Sequence, residues 1–481
     1  MKLGQLIKDI ADAEVCGDIS AEISSLGFDS RAVVPGQLFF AIKGTASDGH
    51  RYIADAIAKG AAAVVCEEFP AENDKKVPYI LVTESSSALG EIASRFYGEP
   101  SGKLRLVGVT GTNGKTTVAT LLYDLFRGLG YKCGLISTVS YVIDGRAVEA
   151  SHTTPDAVRL NAMLADMVQA GCEFCFMEVS SHSVVQGRIA GLTFTGGIFT
   201  NITHEHLDYH GTFAEYIKAK KAFFDSLPRE AFALVNGDDR NGTVMIQNTV
   251  AQTRTFGMRG FDDYKVRILE NTPEGMLLDV DREEVWVKFL GKFNAYNLLA
   301  VYAAARLLGA DKQETLTAVS SLTPVRGRFE TVRSANGVTA IIDYAHTPDA
   351  LKNVLDTVNG MRRGTGRLFV VVGCGGDRDR SKRPEMARIA AEFSDMAIFT
   401  SDNPRSEDPE AILSEMKAGV EGVGKYLSIT DRREAIKTAA ALAAPGDIIL
   451  IAGKGHETYQ VIKGETHHLD DREEILKYFN K

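Results

Sequence analysis

Short apolar runs recur along the chain, and in its last third they alternate with helix-like patterns. The runs "VTAIIDY", "GRLFVVVG", "DMAIFTS" and "GDIILIA" are spaced as strands between helices, which predicts a parallel sheet with crossover helices. Further upstream, "LRLVGVT" predicts a strand that opens straight into a glycine-rich turn. The first segment mixes short strands ("GQLFFAI", "AAAVVC", "PYILVT") with helical stretches. Two breaks separate these regions. "YGEPSGK", Tyr97 to Lys103, clusters Gly, Pro and Ser, and "VRSANGVTA", Val332 to Ala340, carries the turn signal Asn336-Gly337. They divide the chain into 1–98, 99–332 and 333–481, consistent with roughly 150 residues per domain in a chain of 481. The expected fold is α/β in three domains: a smaller N-terminal α/β domain, a central α/β domain built on the glycine-rich turn, and a C-terminal Rossmann-like parallel-sheet domain.

Each strand of the last segment ends in a polar or glycine-rich cluster: "DYAHTPDA" at Asp343, "GCGGDRDR" at Gly373, "SDNPR" at Ser401 and "GKGHE" at Gly453. Open parallel sheets bind ligands beyond the carboxyl ends of their strands, so these loops are expected to converge on one edge. Alone, Asp402-Asn403-Pro404-Arg405 reads as a turn, because Asn-Pro starts turns. A turn does not need Arg378, Arg405 and Glu457 as well. That combination points to a ligand site rather than a plain turn.

Composition narrows the classes. With 44% hydrophobic and 24% charged residues, the chain has the make-up of a globular protein. A net charge of -9 argues against a nucleic-acid partner, although local cations remain able to hold an anionic small molecule. The start "MKLGQLIKDIADAE" places Lys8 and Asp9 before any apolar core, unlike a signal peptide. "AALAAPGDIILIAG" is interrupted by Pro445 and Asp447 and is too short to span a bilayer. Six cysteines in a chain of this length do not form a disulfide framework. Cys172 and Cys175 run into "FCFMEV" and read as buried thiols rather than as a zinc or redox pair. A cytoplasmic protein without membrane insertion is expected.

"VGVTGTNGKTT", Val107 to Thr117, is a strand, a glycine-rich turn and a helix start. The N–H groups of such a loop cradle phosphates, and the helix dipole favours their charge. Lys115 would reach the β- and γ-phosphates, and Thr116 would offer its hydroxyl to Mg²⁺. The usual spacing is not met, since Val109 stands where the first glycine is expected. Glu178, ending the apolar run "FCFME", is placed as a hard oxygen ligand for Mg²⁺. In "TNITHEHLDYHG", residues His204, His206, Asp208 and His210 resemble a zinc cluster by composition. On an extended segment, however, alternate side chains face opposite ways, so one histidine near a Mg²⁺ site is the more economical reading.

Taken together, these motifs resemble the Mur ligases, ATP-dependent amide-forming enzymes of bacterial cell-wall precursor synthesis, over essentially the whole chain. The family's phosphate loop is "GTNGKTT" itself, Gly111 to Thr117, which accounts for the unusual spacing. Its acidic residue matches Glu178, its "TN…HLD" histidine His206, and its paired asparagines Asn294 and Asn297 in "FNAYN". Arg328 in "VRGRFE" and Asp343 in "DYAHTP" complete the implied ATP and magnesium set, Gly111, Thr112, Asn113, Gly114, Lys115, Thr116 and Thr117 being its loop. The family also carries a carbamylated lysine that supports Mg²⁺. Among Lys218, Lys220 and Lys221, motif position favours Lys220. "DNPR" with "GKGHE" is similar to the members that add the third peptide residue, and the arginine to those that add meso-diaminopimelate. The resemblance implies amino-acid contacts at Arg378, Asp402, Asn403, Pro404, Arg405, Gly453 and Glu457. It implies UDP-sugar-peptide contacts at Ser30 in "FDSR", Thr153 and Thr154 in "SHTTP", and Ser180, Gln186 and Arg188 in "EVSSHSVVQGR". Thr45, Ala46 and Ser47 occupy a further contact loop that departs from some relatives.

The implied domains are UDP-sugar-binding (1–98), ATP-binding around the P-loop (99–332) and amino-acid-binding (333–481). The implied chemistry starts from a poor acyl donor: ATP converts the D-glutamyl carboxylate of UDP-N-acetylmuramoyl-L-alanyl-D-glutamate to an acyl phosphate. The amine then displaces phosphate through a tetrahedral intermediate. Only small-molecule substrates are implied, and a monomer is expected. Folylpolyglutamate synthetase shares this chemistry, but "DNPR" and "FDSR" argue against it. A P-loop switch would need a guanine-reading Asn-Lys-x-Asp, which is absent. A non-catalytic binding protein for nucleotide sugars would release no ADP.

Overall fold

The computed structural model describes residues 1–481 except 45–46, 71–75, 149–152, 204, 273, 363–365, 423–424 and 480–481. The chain forms two compact units. The first comprises Met1–Gly111, Leu122–Thr200 and Ala214–Thr255. The second comprises Thr112–Leu121, Asn201–Phe213 and Phe256–Lys481.

The first unit opens with strands β1 (Glu14–Cys16), β2 (Ser25–Gly27), β3 (Gln37–Phe40), β4 (Ala63–Cys66) and β5 (Tyr79–Leu81), ordered β1-β5-β4-β3-β2. All pairs are parallel except β1 with β5. Every residue of "QLFF" and "AVVC" is buried, as expected where helices cover both faces of a parallel sheet. Helix Ser85–Phe96 supplies Ala88, Leu89, Ile92 and Ala93 to one face. Helix Ile53–Ala58 supplies Ile53 and Ala56 to the other.

A second sheet in this unit contains β6 (Arg105–Thr110), β7 (Cys133–Ile136), β8 (Tyr141–Ile143), β9 (Arg146–Val148), β10 (Phe174–Glu178), β11 (Gly196–Phe199) and β12 (Phe232–Asn236). They run in the order β12-β11-β6-β10-β7-β8-β9. The strand that carries the glycine-rich turn, β6, lies between β10 and β11 and parallel to both. The thiols of Cys172 and Cys175 are buried, and desolvation pushes both above the usual thiol range.

Strand β13 (Gln252–Gly257) carries the chain into the antiparallel meander β14 (Tyr264–Thr272), β15 (Gly275–Val280) and β16 (Glu283–Val287). The C-terminal sheet follows, with β17 (Glu330–Arg333), β18 (Thr339–Asp343), β19 (Leu368–Val372), β20 (Met396–Phe399), β21 (Tyr426–Ser428) and β22 (Ile448–Ala452). Its order is β17-β18-β22-β19-β20-β21, parallel but for β17. Asn336-Gly337 closes the β17–β18 hairpin, so Glu330–Arg333, which straddles the 332/333 boundary expected from the sequence, pairs into this sheet. Helices Pro348–Met361, Lys382–Glu392 and Pro409–Lys417 pack on one face, and Arg432–Leu442 and Asp471–Phe479 on the other. Local signals set their starts. Thr347 and Asp408 cap their helices through side-chain oxygens, each with Pro at the first helical position. A separate hairpin, β23 (Tyr459–Ile462) and β24 (Glu465–His468), follows β22.

Among the described residues no helix is long and apolar enough to cross a membrane. One local expectation needs correction. The histidine-rich segment is not extended throughout: Leu207–His210 forms a short helix, entered through His206 at φ 56°. The alternation argument therefore does not apply to it, and His204 lies outside the described residues.

Candidate functional site

The turn after β6 is shaped mainly by backbone contacts. Gly114, at φ 89°, takes a left-handed conformation that a side chain would strain, and the helix Lys115–Gly128 begins at the next residue. In the second unit, Thr112 donates its N–H to Asn201 O at 2.8 Å. Asn113 N–H donates to Asn201 Oδ1 (3.0 Å), and Asn201 Nδ2 returns a bond to Asn113 O (3.0 Å). Lys115 Nζ lies against the loop, donating to Thr112 O at 2.8 Å. Thr116 and Thr117 are buried, and Thr116 Oγ1 accepts from Arg328 Nη2 at 3.1 Å. The Arg328 guanidinium carbon also sits 4.5 Å from the Tyr344 ring centroid. Asp343 accepts from the N–H groups of Phe329 (2.7 Å) and Ala345 (2.8 Å). Burial nevertheless pushes its carboxyl up, against Arg328 and those two donors. Thr112, Asn113, Lys115, Thr116, Arg328 and Asp343 are thus linked by short steps. Asn294 donates to Leu290 O and Asn297 to Asn294 Oδ1, both in the first turns of helix Lys292–Leu307. His206 Nε2 lies 3.9 Å from Glu205 Oε2.

In the first unit, Gly111 O accepts from Lys220 Nζ at 2.8 Å. Lys220 is 1% exposed, its ammonium 4.7 Å from the Tyr216 ring centroid. Glu178, also 1% exposed, ends β10 in register with Val109 of β6. Its Oε1 accepts from Thr138 N–H (2.7 Å), while Oε2 is buried without a hydrogen-bond donor among the described residues. An orphaned buried carboxylate oxygen at the end of a strand paired with β6 fits a hard cation. The same carboxylate strand anchors the expected sugar-peptide residues. Thr153 Oγ1 accepts from Thr138 Oγ1 (3.0 Å), and Thr154 Oγ1 donates to Glu178 O (2.8 Å). Ser180 caps its helix at Ser183 N–H. Arg188 bonds Thr154 O (2.7 Å) and holds Gln186 Oε1 with two nitrogens. Ser30 stands apart from that network, its carbonyl accepting from Lys59 Nζ at 2.7 Å. Beside it, a cavity of about 320 Å³ is lined by Phe28, Asp29, Gln37, Tyr97, Asp156 and Arg159 among others. Ser47 meets the Tyr52 hydroxyl at 3.2 Å, while Thr45 and Ala46 lie outside the described residues.

The clusters beyond β18, β22, β19 and β20 do converge. Asn403, 3% exposed, donates through Nδ2 to Glu457 Oε2 (2.8 Å). Its Oδ1 accepts from Val461 N–H (3.0 Å) and Lys454 Nζ (3.3 Å), and Lys454 Nζ reaches Glu457 Oε2 at 2.9 Å. Gly453, at φ 114°, leaves room that a Cβ would take, 2.7 Å from Asp402 Oδ2. Arg405 adopts φ 52°, unusual for a side-chain-bearing residue. The β23 hairpin holds it there: Arg405 N–H donates to Val461 O (2.9 Å), and Lys463 N–H donates to Arg405 O (2.6 Å). Its Nη1 donates to Gly376 O at 2.6 Å. The Pro404 carbonyl closes onto Gly376, where a Cβ would meet it at 1.9 Å. Arg378, on the Gly376 loop, is exposed and, among the described residues, makes one long bond to Asp377 O (3.5 Å). Glu407 ties this loop down, accepting from Asp377 N–H (2.6 Å) and two nitrogens of the fully buried Arg383.

Sequence reasoning missed Asn201, Lys454, Arg383 and Glu407. Asn201 and Lys454 stand inside motifs already noted, "TN" and "GKGHE". Arg383 and Glu407 carry no signal that separates them from surface charge.

Three family models match the chain: "Mur ligase family, catalytic domain" over 22–97, "Mur ligase middle domain" over 109–305, and "Mur ligase, glutamate ligase domain" over 327–455. The chain is 57% identical over 475 residues to the UDP-N-acetylmuramoyl-L-alanyl-D-glutamate–2,6-diaminopimelate ligase of Cytophaga hutchinsonii, covering 98% of each. It is 56% identical over 481 residues to the protein of that name from Phocaeicola vulgatus, covering 100% of this chain and 99% of the relative. A solved structure titled as that ligase superposes with a TM-score of 0.71 at 33% identity, covering 100% of this chain and 99% of the other.

Proposed function

The chain belongs to the Mur ligase family, and from that premise we propose that it joins meso-2,6-diaminopimelate to UDP-N-acetylmuramoyl-L-alanyl-D-glutamate, with cleavage of ATP to ADP and phosphate. One observation carries the choice of amine: beyond the carboxyl ends of parallel strands Asn403 bonds Glu457, and Arg405, two residues on, bonds Gly376 O, so that one loop cluster carries both an anion and a cation. The far end of meso-diaminopimelate bears a carboxylate and an ammonium. A guanidinium takes the former through two parallel hydrogen bonds, and Glu457 takes the latter. Asp402, Pro404 and Gly453 shape the pocket, and Arg378 is free to swing onto further carboxylate charge.

In this reading the domains are 1–98 for the UDP-sugar, 99–332 for ATP and 333–481 for the amino acid. Thr153, Thr154, Ser180, Gln186 and Arg188 hold the sugar-peptide, with Ser30 toward the nucleotide. The loop amides and Lys115 neutralise phosphate charge as the D-glutamyl carboxylate takes the γ-phosphoryl group, and Arg328, Asn294, Asn297 and Asp343 fix the nucleotide. Glu178, and Lys220 once carbamylated, fit Mg²⁺, with Thr116 as the loop's hydroxyl for it. When bound, that ion supplies charge neutralisation between the two polyanions. His206 orients the acidic side of this set. The incoming amine, held by its distal end, attacks the acyl phosphate and expels phosphate, so the protein contributes chiefly position and charge. The enzyme acts in the cytoplasm as a monomer.

The test is ADP release with the UDP-dipeptide precursor and a panel of amino acids. Meso-diaminopimelate is expected to be the preferred amine. Equal release with no amine present, or a preference for glutamate, would exclude the reading.

A further inference from the structure

We infer that Lys454 is a positioning residue for the amine substrate: it fixes one carboxylate oxygen of Glu457 and leaves the other turned toward the distal ammonium. This rests on the functional reading above. Lys454 is 0% exposed and follows Gly453 at the end of β22. A buried ammonium is costly unless paired, and replacing such a pair by apolar residues is often neutral for stability. Fold stability alone therefore gives little reason for a lysine here.

The geometry supplies one. Lys454 Nζ, Glu457 and Asn403 close a triangle. Nζ donates to Glu457 Oε2 (2.9 Å) and Asn403 Oδ1 (3.3 Å), and Asn403 Nδ2 donates to the same Oε2 (2.8 Å). Val461 N–H fixes the Asn403 amide from the far side, donating to Oδ1 at 3.0 Å. Oε2 is thereby saturated with donors. Among the described residues Oε1 keeps a single long contact, 3.5 Å from the Tyr344 hydroxyl, and is the acceptor left for a ligand. The other groups near Glu457 cannot replace Lys454. Tyr344 and Tyr459 are phenols held neutral by burial, Asp402 is an acid, and Arg432 is committed to Asp471 by two bonds of 2.7 Å.

The experiment compares Lys454→Met in the wild-type and Glu457→Gln backgrounds of the full-length chain, by steady-state ADP release. Truncating one partner of a buried charge pair weakens what it orders severely, so KM for meso-diaminopimelate should rise at least about thirtyfold in the wild-type background. KM for ATP and for the UDP-dipeptide should change little. In the Glu457→Gln background, where no carboxylate remains to be held, the further rise should be under about threefold. Lys454→Gln, which retains a hydrogen-bond donor without charge, should show the same amine-selective rise. An equal effect in both backgrounds, a parallel loss against all three substrates, or no rise would overturn the inference. So would failure of both variants to fold, since Lys454 would then be a stability residue. A wild type that releases ADP with no diamino acid would instead sink the functional reading, before any variant is made.

Discussion

The turn after β6 and the turn after β20 both leave the end of a buried parallel strand, yet they are held in contrasting ways. Around the first, backbone amides and carbonyls do most of the holding: Asn201 clasps Asn113 through its amide, and Lys115 rests on Thr112 O. Around the second, side chains hold one another: Asn403, Glu457 and Lys454 form a closed set, and a hairpin bridges to Arg405. A phosphate is recognised by any properly bent backbone, so its site is written locally. Telling one diamino acid from another needs a carboxylate and an ammonium met at the right spacing. Such a site has to be assembled from loops far apart in the chain.

If that contrast holds, the largest effect comes from the side-chain site. L-Lysine lacks the distal carboxylate, leaving Arg405 desolvated and unpaired, and a site built for a polar group rejects an analogue without it by roughly ten-thousandfold. The wild type should use meso-diaminopimelate and nearly ignore L-lysine. Arg405→Ala should lose most of its turnover with the former, so that the ratio of kcat/KM values collapses. Arg405→Lys should not restore it, because an ammonium lacks the two-pronged geometry. A wild type that prefers L-lysine would reverse the reading of this loop.

The backbone-held loop should respond differently. Lys115→Ala removes one electrostatic stabiliser from the phosphate site, a loss of more than about a hundredfold in kcat. Because that loop does not meet the amine, the loss should be the same for every amine tested, and circular dichroism should show an intact fold. A loss that depends on the amine would blur the distinction between the two sites.

The same contrast explains what was legible in the sequence. Strands β18, β19, β20 and β22 stand out because a parallel strand covered on both faces is apolar throughout. "VGVTGTNGKTT" is equally plain, since its turn, helix start and lysine are consecutive. The β8–β9 hairpin and the β14–β16 meander were not read: their burial alternates or is partial, as in "YKVRILENT". The short helix Leu207–His210 escaped because a single turn has no periodicity to detect. In the loop cluster proposed for the amino acid, Asn403, Arg405 and Glu457 were singled out through motif resemblance, whereas their supports were not. Lys454 and Arg383 are fully buried cations, and a sequence shows a lysine or arginine as surface until its partners are known. Those partners, Asn403 for one and Glu407 for the other, lie in different loops.

The smallest predicted effect concerns the clamp beneath Arg405. Glu407 has its carboxyl lowered to about 2, first by hydrogen bonds from Arg383, then by the Asp377 N–H, with Arg380 adding charge. Its neighbour Ser406 bonds Asp377 Oδ1 at 2.6 Å, so the same contacts join the "DRDR" loop to the loop carrying Arg405. A carboxyl whose folded value lies below its unfolded value, about 4.3, stabilises the protein fully above that unfolded value. The contribution is lost as pH falls through about 2. Glu407→Gln removes the charge and should lower the melting temperature near neutrality. Between about pH 4.5 and 2.5 the wild type should lose stability faster than the variant, so the gap narrows as acid is added. Other carboxylates titrate in both proteins and cancel from the difference. A gap that stays constant across this window would show that Glu407 gains nothing from Arg383 on folding, and Arg405 would then owe its placement to the β23 hairpin alone.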